Sequence, residues 1–452
     1  MRRLRALPLF LVALIVLGQA ALAPASGAPA ADLAHASLTQ LGPTVVVVVL
    51  DGCPVGSLDL LPDEAFLGAA RRGCDCGEGC GTGCADGDCL STVVRTVFPS
   101  STAAGHAAIF TGSYPEENGV TGKEYLLADG SPGRFSSPGV LERPTLFEVA
   151  RAAGYGTAMM SAKKNVRLML SGAADVSVGA DDAPDWILSV AGPPPDESEQ
   201  YADYAGWHVK LDLWVLSTVR AYLESNYAPA LIGVNLGSPD KCGHRYGPAP
   251  AKETATAVAA MSQGLEALAA TLDATRAGNW CMIVTADHGM TQVDKGITVL
   301  DIIDEVAEST GSEITATLDG GVLCVWAEGK ARDELAKAFA STEGVAEVIG
   351  SDGPDCPEGA KDQARRAELR IRHPRTAPLI ALVQSGYMFI ESPLFMDYTR
   401  GSHGTADLDS DVLVPLIVYG PQADHADVDQ LVHQAKSVTD ICSIVIRLLG
   451  RP

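Results

Sequence analysis

The sequence contains few basic and few aromatic residues. Lys and Arg together number 33 against 56 Asp and Glu, so the formal net charge at pH 7 is −23, and aromatic residues make up 6% of the chain. A protein whose main task is to bind a nucleic-acid backbone needs a basic surface, so this composition argues against that class. The overall charge also repels anions, and an anionic substrate must therefore be attracted by local charge such as bound cations.

Long hydrophobic runs are lacking after the N-terminal segment. The chain begins with the basic MRRLR, continues with the apolar ALPLFLVALIVLGQAALA and has small residues at 21–23. This order predicts a secretory signal peptide over residues 1–30, with a retained N-terminal anchor as the alternative. No later segment is long and apolar enough to span a membrane, so we expect an exported mature chain without a transmembrane span, either periplasmic or secreted.

Cysteines are scarce along most of the chain and concentrated in one segment. CDCGEGCGTGCADGDC contains five of the eleven, and a sixth lies nearby: Cys74, Cys76, Cys80, Cys84, Cys89 and Cys53. The segment has almost no apolar residues and cannot fold by burial. Because export permits disulfides, we expect residues 73–90 to form a surface loop tied by two or three of them; a thiolate metal site is the alternative. Outside this segment, Cys281 lies in an apolar run and is expected to be buried.

The order of apolar segments predicts an α/β fold. Thr44–Leu50, TVVVVVL, has the continuous β-branched character of a strand buried on both faces of a parallel sheet. Further strands are predicted at 156–161, 230–236, 281–286 and 414–419. Helices are predicted between and around them at 57–72, 102–110, 144–154, 208–225, 252–277, 299–307 and 438–449. We therefore expect one 452-residue chain built around a mostly parallel sheet flanked by helices.

Two stretches depart from this alternation of strands and helices. Residues 179–200 are rich in Asp and Pro and predict a loop. In residues 313–390, short strands at 321–326, 345–349 and 369–372 surround one helix at 331–340. This pattern predicts a small α+β cap subdomain inserted into a catalytic domain that consists of residues 40–312 and 391–452.

One segment combines hydroxyl side chains with a helix start. In FPSSTAAGHAAIFTGSYPEENG, the run Ser100-Ser101-Thr102 leads into a helix of small residues. The N-terminus of a helix offers unpaired N–H groups and suits a phosphate group. A hydroxyl at that position can act as a nucleophile, or it can simply cap the helix.

Aspartate and histidine follow the ends of four other segments. They are Asp51, Asp240 and His244, Asp287 and His288, and His403. In open α/β sheets, ligands bind at the carboxyl ends of the strands. Three aspartates, three histidines and one hydroxyl are the set that two adjacent divalent cations and a shared nucleophile require. A mixture of Asp and His suits zinc better than magnesium, although other divalent cations are possible.

These motifs resemble those of the alkaline phosphatase superfamily. The sequence is most similar to the type I phosphodiesterase and nucleotide pyrophosphatase family, with phosphonoacetate hydrolase as a close relative. The resemblance runs from about residue 45 to the end, without the Cys-rich loop, and includes LDG, FPSSTAAGHAAIFTGSYPEENG, PDKCGHRYGP, VTADHGM, GSHG and SVTDICSIVIRLLG. It implies an alkaline-phosphatase-like fold and a two-zinc phosphohydrolase.

The resemblance also implies a role for each residue of the motifs. One zinc would be held by Asp51, Thr102, Asp287 and His288, and the other by Asp240, His244 and His403. Thr102 matches the nucleophile, which forms a covalent phosphothreonine. His106, on the same helix, is interpreted as structural.

Three residues near the motifs bear on the substrate. Lys123 stands near the place of the family's phosphate-binding asparagine. Lys163 matches the first lysine of a pair found in phosphonoacetate hydrolase and some monoesterases, and Asn165 replaces the second. Overall similarity therefore indicates a phosphodiester or nucleotide substrate, whereas Lys163 indicates a monoester or phosphonate. Alternatives of another class are a phosphoryl transferase and an inactive binding protein, although no ligand of the motifs is missing. In each case the partner is a small anionic molecule, and the oligomeric state is not predicted.

Overall fold

The computed structural model describes most of the chain. The described residues are 42–72, 89–127, 130–135, 137, 139–225, 229–350, 360–423 and 425–450. The predicted signal peptide and residues 73–88 of the predicted Cys-rich loop lie outside them. Cys53 is a buried free thiol.

Sixteen strands are found in the described residues. They are β1 Thr44–Leu50, β2 Cys89–Arg95, β3 Glu124–Leu126, β4 Pro132–Arg134, β5 Thr157–Ser161, β6 Val176–Val178, β7 Leu231–Leu236, β8 Trp280–Thr285, β9 Thr291–Thr298, β10 Thr315–Asp319, β11 Val322–Trp326, β12 Val345–Ile349, β13 Leu379–Val383, β14 Gly386–Ile390, β15 Gly401–Ser402 and β16 Leu413–Tyr419.

The largest sheet has seven strands in the order β2-β16-β8-β1-β7-β5-β6. Strand β1 lies at its centre and pairs in parallel with β7 and β8, and β5 pairs in parallel with β7 and β6. Only β16 runs antiparallel to its neighbours β8 and β2. Every residue of β1 is buried, as its β-branched run predicts for a central strand. The predicted mostly parallel sheet is confirmed, and so is the burial of Cys281 in β8.

The helices flank this sheet and the smaller ones. In chain order they are α1 Val55–Asp59, α2 Phe66–Arg72, α3 Thr102–Thr111, α4 Pro115–Asn118, α5 Leu146–Ala152, α6 Lys164–Leu170, α7 Asp185–Ala191, α8 Tyr204–Glu224, α9 Ser238–Tyr246, α10 Lys252–Arg276, α11 Leu300–Thr310, α12 Gly329–Ala340, α13 Ala360–Glu368, α14 Asp409–Val412, α15 Ala426–Gln434 and α16 Ile441–Leu448. Short 3-10 turns occur at Ser171–Ala173, Glu197–Tyr201, Pro393–Asp397 and Val438–Asp440. None of the helices in the described part of the chain has both the length and the apolar character of a membrane span.

Two predictions about helices were wrong in detail. The helix predicted at 57–72 is broken into α1 and α2, with Pro62 in the interruption, because proline lacks the N–H that a helix interior needs. The loop predicted at 179–200 contains α7 and a 3-10 turn. In α7, Ile187 is buried and Trp186 packs on Tyr222 of α8 with ring centroids 5.7 Å apart. Packing against α8 therefore outweighs the loop-forming composition of this stretch.

A second, four-stranded sheet lies within the predicted insertion. Its order is β10-β11-β13-β12, and it has an apolar cluster of its own that includes Leu323, Leu335, Phe339 and Leu379. The strand predicted at 369–372 is absent, because the chain turns after α13. Arg370 takes a positive φ of 55°, and Leu369 and Ile371 are buried in a small cluster without strand pairing.

A three-stranded sheet connects the two regions. Strand β9, which follows the large sheet, pairs in parallel with β14 and antiparallel with β15. Strand β14 belongs to the predicted insertion, and β15 precedes His403. The position of His403 is therefore tied to the inserted segment through β9. The domain boundaries themselves stay a prediction.

Helix α3 touches the end of β8 backbone to backbone. A Cβ atom added at Gly105 would lie 2.3 Å from the carbonyl oxygen of Asp287 and 2.8 Å from its Cβ. Real Cβ atoms do not approach so closely, so this contact requires glycine. It sets the distance between the helix that begins with Thr102 and the turn that carries Asp287.

The contact can be tested with Gly105→Ala. In an open helical position, Gly→Ala stabilises by up to about 1 kcal/mol. At position 105 the added methyl must separate α3 from Asp287, so we expect the free energy of unfolding to fall by about 1–3 kcal/mol in urea titrations. Gly56→Ala in α1 is the matched control, since a Cβ there meets nothing within 4 Å. Equal effects of the two substitutions would contradict the close-contact explanation.

Candidate active site

The parallel register brings the strand ends of the large sheet to one edge. Val49 pairs with Asn235 and with Thr285, and Asn235 pairs with Ser161. Two residues further along each strand lie Asp51, Asp287, Gly237 and Lys163. The sheet therefore places an aspartate from β1, an aspartate from β8, the start of α9 and a lysine at the same level.

Thr102 lies among charged side chains of these strand ends. Its Oγ1 is 3.4 Å from Asp51 Oδ1, 3.3 Å from His288 Nε2 and 3.3 Å from Lys163 Nζ. The ammonium group of Lys163 also donates to Asp51 Oδ1 at 2.6 Å and to Asp240 Oδ2 at 2.7 Å. The hydroxyl at the start of α3 is thus surrounded by carboxylate, imidazole and ammonium groups.

Asp240, His244 and His403 form one compact cluster. Their ligand atoms lie within 4.8 Å of one another, although His403 is far away in sequence. Asp240 and His244 share a face of α9, with Asp240 Oδ1 and His244 Nε2 3.1 Å apart, because residues four apart on a helix are neighbours. Asp240 Oδ1 is buried and has no hydrogen bond of good geometry among the described residues.

A second group surrounds Asp51. Two further sets of ligand atoms lie within 4.8 Å of one another. They are those of Asp51, Asp240 and His288, and those of Asp51, His106 and Asp287. His288 Nε2 lies 3.6 Å from Asp51 Oδ1 and 3.5 Å from Asp287 Oδ2. Asp287 Oδ2 is buried and, within the part of the chain that the structure describes, accepts no well-formed hydrogen bond.

The three predicted histidine ligands are oriented in the same way. Each Nδ1 donates to a backbone carbonyl: His244 to Gly401 at 2.9 Å, His288 to Gly289 at 2.8 Å and His403 to Ser100 at 2.8 Å. This arrangement protonates Nδ1 and leaves the Nε2 lone pair of each ring facing the carboxylates. Imidazole lone pairs beside unpaired carboxylate oxygens form a donor set that suits divalent cations.

The electrostatics of the site favour the ligand forms of Asp240 and His403. Burial disfavours an ionised Asp240, but Lys163 and His244 outweigh it and hold the pKa of Asp240 well below its usual range. Burial and the neighbouring His288 and His244 lower the pKa of His403, so its ring is neutral. Burial also disfavours a charged Lys163, yet the carboxylates of Asp240 and Asp51 outweigh it and raise the lysine pKa.

His106 occupies a different position from the other histidines. Its Nδ1 lies 2.9 Å from the carbonyl oxygen of Thr102 and 3.1 Å from Asp287 Oδ2, and its Nε2 lies 3.1 Å from Asn235 Nδ2. Donation from Nδ1 to the Thr102 carbonyl and acceptance at Nε2 from the amide use both ring nitrogens. This pattern favours a supporting role for His106 between α3 and Asp287.

Two residues that support the site, Asn235 and Asp212, were not predicted from the sequence. Asn235 in β7 donates to Asp51 Oδ2 at 2.9 Å, and its Oδ1 accepts from Ser161 Oγ at 3.1 Å. The only feature of the sequence that indicates a role for Asn235 is its position as a polar residue near the end of an apolar strand. Asp212 of α8 accepts from the backbone N–H groups of Gly237 and Ser238 at 2.8 and 2.7 Å. Nothing in the sequence links Asp212 to the loop that it holds.

The loop that carries His403 is also fixed by hydrogen bonds. Ser100 Oγ donates to the carbonyl of Thr405 at 2.7 Å and accepts from Gly404 N at 3.0 Å. Buried Asp411 accepts from both the backbone and the hydroxyl of Thr405. The residue two positions before Thr102, Ser100, therefore holds the loop that carries His403.

The remaining candidate substrate residues lie further out. The side chain of Lys123 is exposed in the loop before β3. Asn165 is exposed on α6, where the structure gives it no hydrogen bond to the candidate ligands in the described residues. The substrate-binding roles of Lys123 and Asn165 stay predictions.

Comparison with known proteins identifies the family. The profile of the type I phosphodiesterase/nucleotide pyrophosphatase family matches residues 45–406. The chain belongs to this family. It is therefore a member of the alkaline phosphatase superfamily and a hydrolase that acts on phosphoric ester bonds. No curated protein matches the chain in sequence.

Solved structures of this superfamily have the same fold. Phosphonoacetate hydrolase from Sinorhizobium meliloti in complex with phosphonoformate matches with a TM-score of 0.64 and 18% identity, covering 90% of this chain and 96% of that one. An inactive murine ectonucleotide pyrophosphatase/phosphodiesterase 5 in complex with AMP matches with a TM-score of 0.62 and 18% identity, covering 91% and 96%. The human protein of the same name gives 0.61 and 17%, covering 90% and 95%.

Asp212→Asn tests the positioning of α9. Burial raises the pKa of Asp212 to about 7, while its bonds to Ser238 and Gly237 oppose that shift. An asparagine keeps the size but turns an NH2 group toward one of the two backbone donors. We expect zinc affinity, measured by calorimetric titration of metal-free protein, to fall about 10- to 100-fold.

The matched control for this prediction is Asp175→Asn. Asp175 also accepts from a backbone N–H, that of Thr157 at 2.9 Å, but at the opposite end of β5 from Lys163. Its substitution is expected to leave zinc affinity near that of the native protein. Native affinity in Asp212→Asn would show that α9 does not depend on this carboxylate.

Proposed function

We propose that this protein is an exported two-zinc phosphohydrolase that uses Thr102 as its nucleophile. The observation that carries the proposal is the meeting of Thr102 with two groups of carboxylate and imidazole ligands at one sheet edge. Asp51, Thr102, Asp287 and His288 would hold one cation, and Asp240, His244 and His403 the other. Support for export comes from residues 1–30 alone.

Zinc fits the donor set better than magnesium. Three imidazoles present Nε2, and magnesium prefers oxygen ligands and retained waters. Other divalent cations that accept nitrogen and oxygen ligands would also fit. When bound, the cations would lower the pKa of the Thr102 hydroxyl and of water and neutralise phosphoryl oxygens.

The reaction has two steps. In the first, Thr102 Oγ1 gives up its proton and forms a bond to phosphorus, the bond between phosphorus and the leaving-group oxygen breaks, and the departing oxygen takes up a proton. In the second, water attacks the phosphothreonine, the bond between Thr102 Oγ1 and phosphorus breaks, and the threonine hydroxyl is regenerated with release of the phosphate product. The N–H groups at the start of α3 lie where they can bind the non-bridging oxygens.

The position of Lys163 favours a second candidate for the substrate class. Family membership supports phosphodiesters or nucleotides. The Lys163 ammonium, however, lies 3.3 Å from the Thr102 hydroxyl and between the two carboxylates Asp51 and Asp240. Cations bound to those carboxylates would release the ammonium toward the phosphoryl group. A terminal dianionic group, as in a monoester or phosphonate, gains more from this positive charge than a diester does.

Thr102→Ala tests the nucleophile. We expect turnover of nitrophenyl phosphate esters to fall at least about a thousandfold, because the covalent step is lost, while zinc content stays near native since the other ligands remain. Acid quenching of native protein with a radiolabelled substrate should trap a phosphorylated chain that Thr102→Ala does not form.

The control for this experiment is Ser101→Ala. The Ser101 hydroxyl is buried next to Thr102 and forms no hydrogen bond in the described residues. This variant should keep both turnover and the trapped phosphoenzyme. Full activity of Thr102→Ala would refute the proposed mechanism.

Lys163→Met tests the substrate class. The quantity to measure is the ratio of kcat/KM for nitrophenyl phosphate to kcat/KM for bis-nitrophenyl phosphate. If Lys163 binds a dianion, the ratio falls about tenfold or more in the variant, because a charge-assisted contact to the monoester is lost. Lys164→Met is the control, since that ammonium is exposed and pairs with Asp181 at 2.9 Å. An unchanged ratio in Lys163→Met would leave the diester class as the supported substrate.

A further inference from the structure

One buried carboxylate contacts the segments of two histidines at once. Asp411 lies in α14 and is fully buried. Its Oδ1 accepts from Thr291 Oγ1 at 2.5 Å, and its Oδ2 accepts from Thr405 N at 3.1 Å and from the Thr405 hydroxyl at 2.6 Å. Thr291 follows His288 by three positions, and Thr405 follows His403 by two. The two oxygens of one side chain therefore hold the segments of two proposed metal ligands.

Backbone contacts connect the segment of Asp411 with the first of these histidines. The carbonyl oxygen of Asp411 accepts from Gly289 N at 2.7 Å, and that of Ser410 accepts from Met290 N at 2.8 Å. A Cβ added at Gly289 would lie 1.9 Å from the Ser410 carbonyl oxygen, so this approach requires glycine. Because Gly289 directly follows His288, the chain at 410–411 packs against the segment that carries this ligand.

The direction of β16 explains how Asp411 reaches this position. Strand β16 runs antiparallel to β8, and Leu416 pairs with Thr285. Residues that precede β16 therefore lie beside residues that follow β8. Asp411 precedes the first residue of β16 by two positions, and His288 follows the last residue of β8 by three. The antiparallel strand thus begins at the same edge of the sheet where the parallel strands end.

The two histidines lie face to face in the site. The rings of His288 and His403 stack, with centroids 3.8 Å apart and planes inclined at 29°. In the proposed function His288 binds one cation and His403 binds the other. A shift of one histidine segment relative to the other would therefore change the distance between the cations. Clamping of the attacking and leaving oxygens depends on that distance.

We propose that Asp411 is a positioning residue that sets the spacing of the two cations. It acts through Thr291 on the segment of His288 and through Thr405 on the segment of His403. This inference rests on the proposed function, because it takes the two histidines as ligands of different cations. Two divalent cations repel each other, so a site that loses this restraint is expected to widen.

Asp411→Leu and Asp411→Asn test the proposal by metal binding. Leucine is similar in size but accepts no hydrogen bond, so both segments lose their acceptor. Asparagine can accept from Thr405 through its oxygen and donate to Thr291 through its amide, because a hydroxyl also accepts. In calorimetric titrations of metal-free protein, we expect the affinity for zinc to fall about tenfold or more in Asp411→Leu and to stay near native in Asp411→Asn.

The spacing itself is measured with cobalt(II), which binds nitrogen and oxygen ligands as zinc does. Two paramagnetic ions broaden each other's EPR signal, and the broadening weakens as the distance between them grows. With two cobalt ions per chain, the native protein and Asp411→Asn should show the same broadening, and Asp411→Leu should show less. Native zinc affinity and native broadening in Asp411→Leu would overturn the proposal, and so would equal losses in the two variants.

Two further variants decide the outcome if Asp411→Leu does not fold. Thr291→Val and Thr405→Val each remove one hydroxyl donor to Asp411 at nearly constant size, and each should weaken the broadening. Thr271→Val is the matched control, since the Thr271 hydroxyl donates at 3.1 Å to Ala267 within α10. Native broadening in both Thr291→Val and Thr405→Val would refute the role of Asp411.

The proposed function can fail separately from this inference. If native protein bound only one zinc ion per chain, the two-cation function would be wrong, and the inference would fail with it. If native protein bound two zinc ions and Thr102→Ala were inactive, the hydrolytic function would stand. Native cobalt broadening in Asp411→Leu would then refute the positioning role alone.

Discussion

Three buried carboxylates lie at one edge of the large sheet, and the surrounding groups must offset the unfavourable free energy of burying them. Asp51, Asp240 and Asp287 are almost fully buried, and Asp51 shares one compact group of ligand atoms with Asp240 and another with Asp287. Such a group is unstable unless positive charge and hydrogen-bond donors surround it. The Lys163 ammonium, the oriented imidazoles and the amide of Asn235 all meet that requirement, so the fold around the edge is arranged to stabilise negative charge.

Much of this arrangement could be predicted from local sequence. The β-branched run at β1 predicts a central strand, and a polar residue just after such a strand predicts a position at the carboxyl edge of the sheet. These two rules place Asp51 and Asp287 at the same edge from the amino-acid order alone. Asp240 and His244 follow from helical spacing. These rules hold only where neighbouring strands are parallel, and β1 pairs in parallel with both β7 and β8.

The features that could not be predicted depend on contacts between distant segments. Asp212 supports α9 from another helix, and the sequence near Asp212 shows only an ordinary amphipathic pattern. The helix at Asp185–Ala191 forms because Trp186 packs against α8, which overrides a composition typical of loops. At residues 369–372 the apolar pattern predicts a strand, but the apolar side chains are buried without strand pairing. Tertiary packing decided all three cases.

The hydrogen bond between His403 and Ser100 joins residues 303 positions apart in the chain. Part of the chemistry of the site therefore comes from a segment that leaves the ribosome long after the helix that begins with Thr102. Until that segment is synthesised, Ser100 lacks its His403 partner, and under the proposed mechanism a chain truncated before His403 would be inactive. Under the same mechanism, the order of the motifs makes activity a late event in synthesis, because the first and last parts of the site must both be folded.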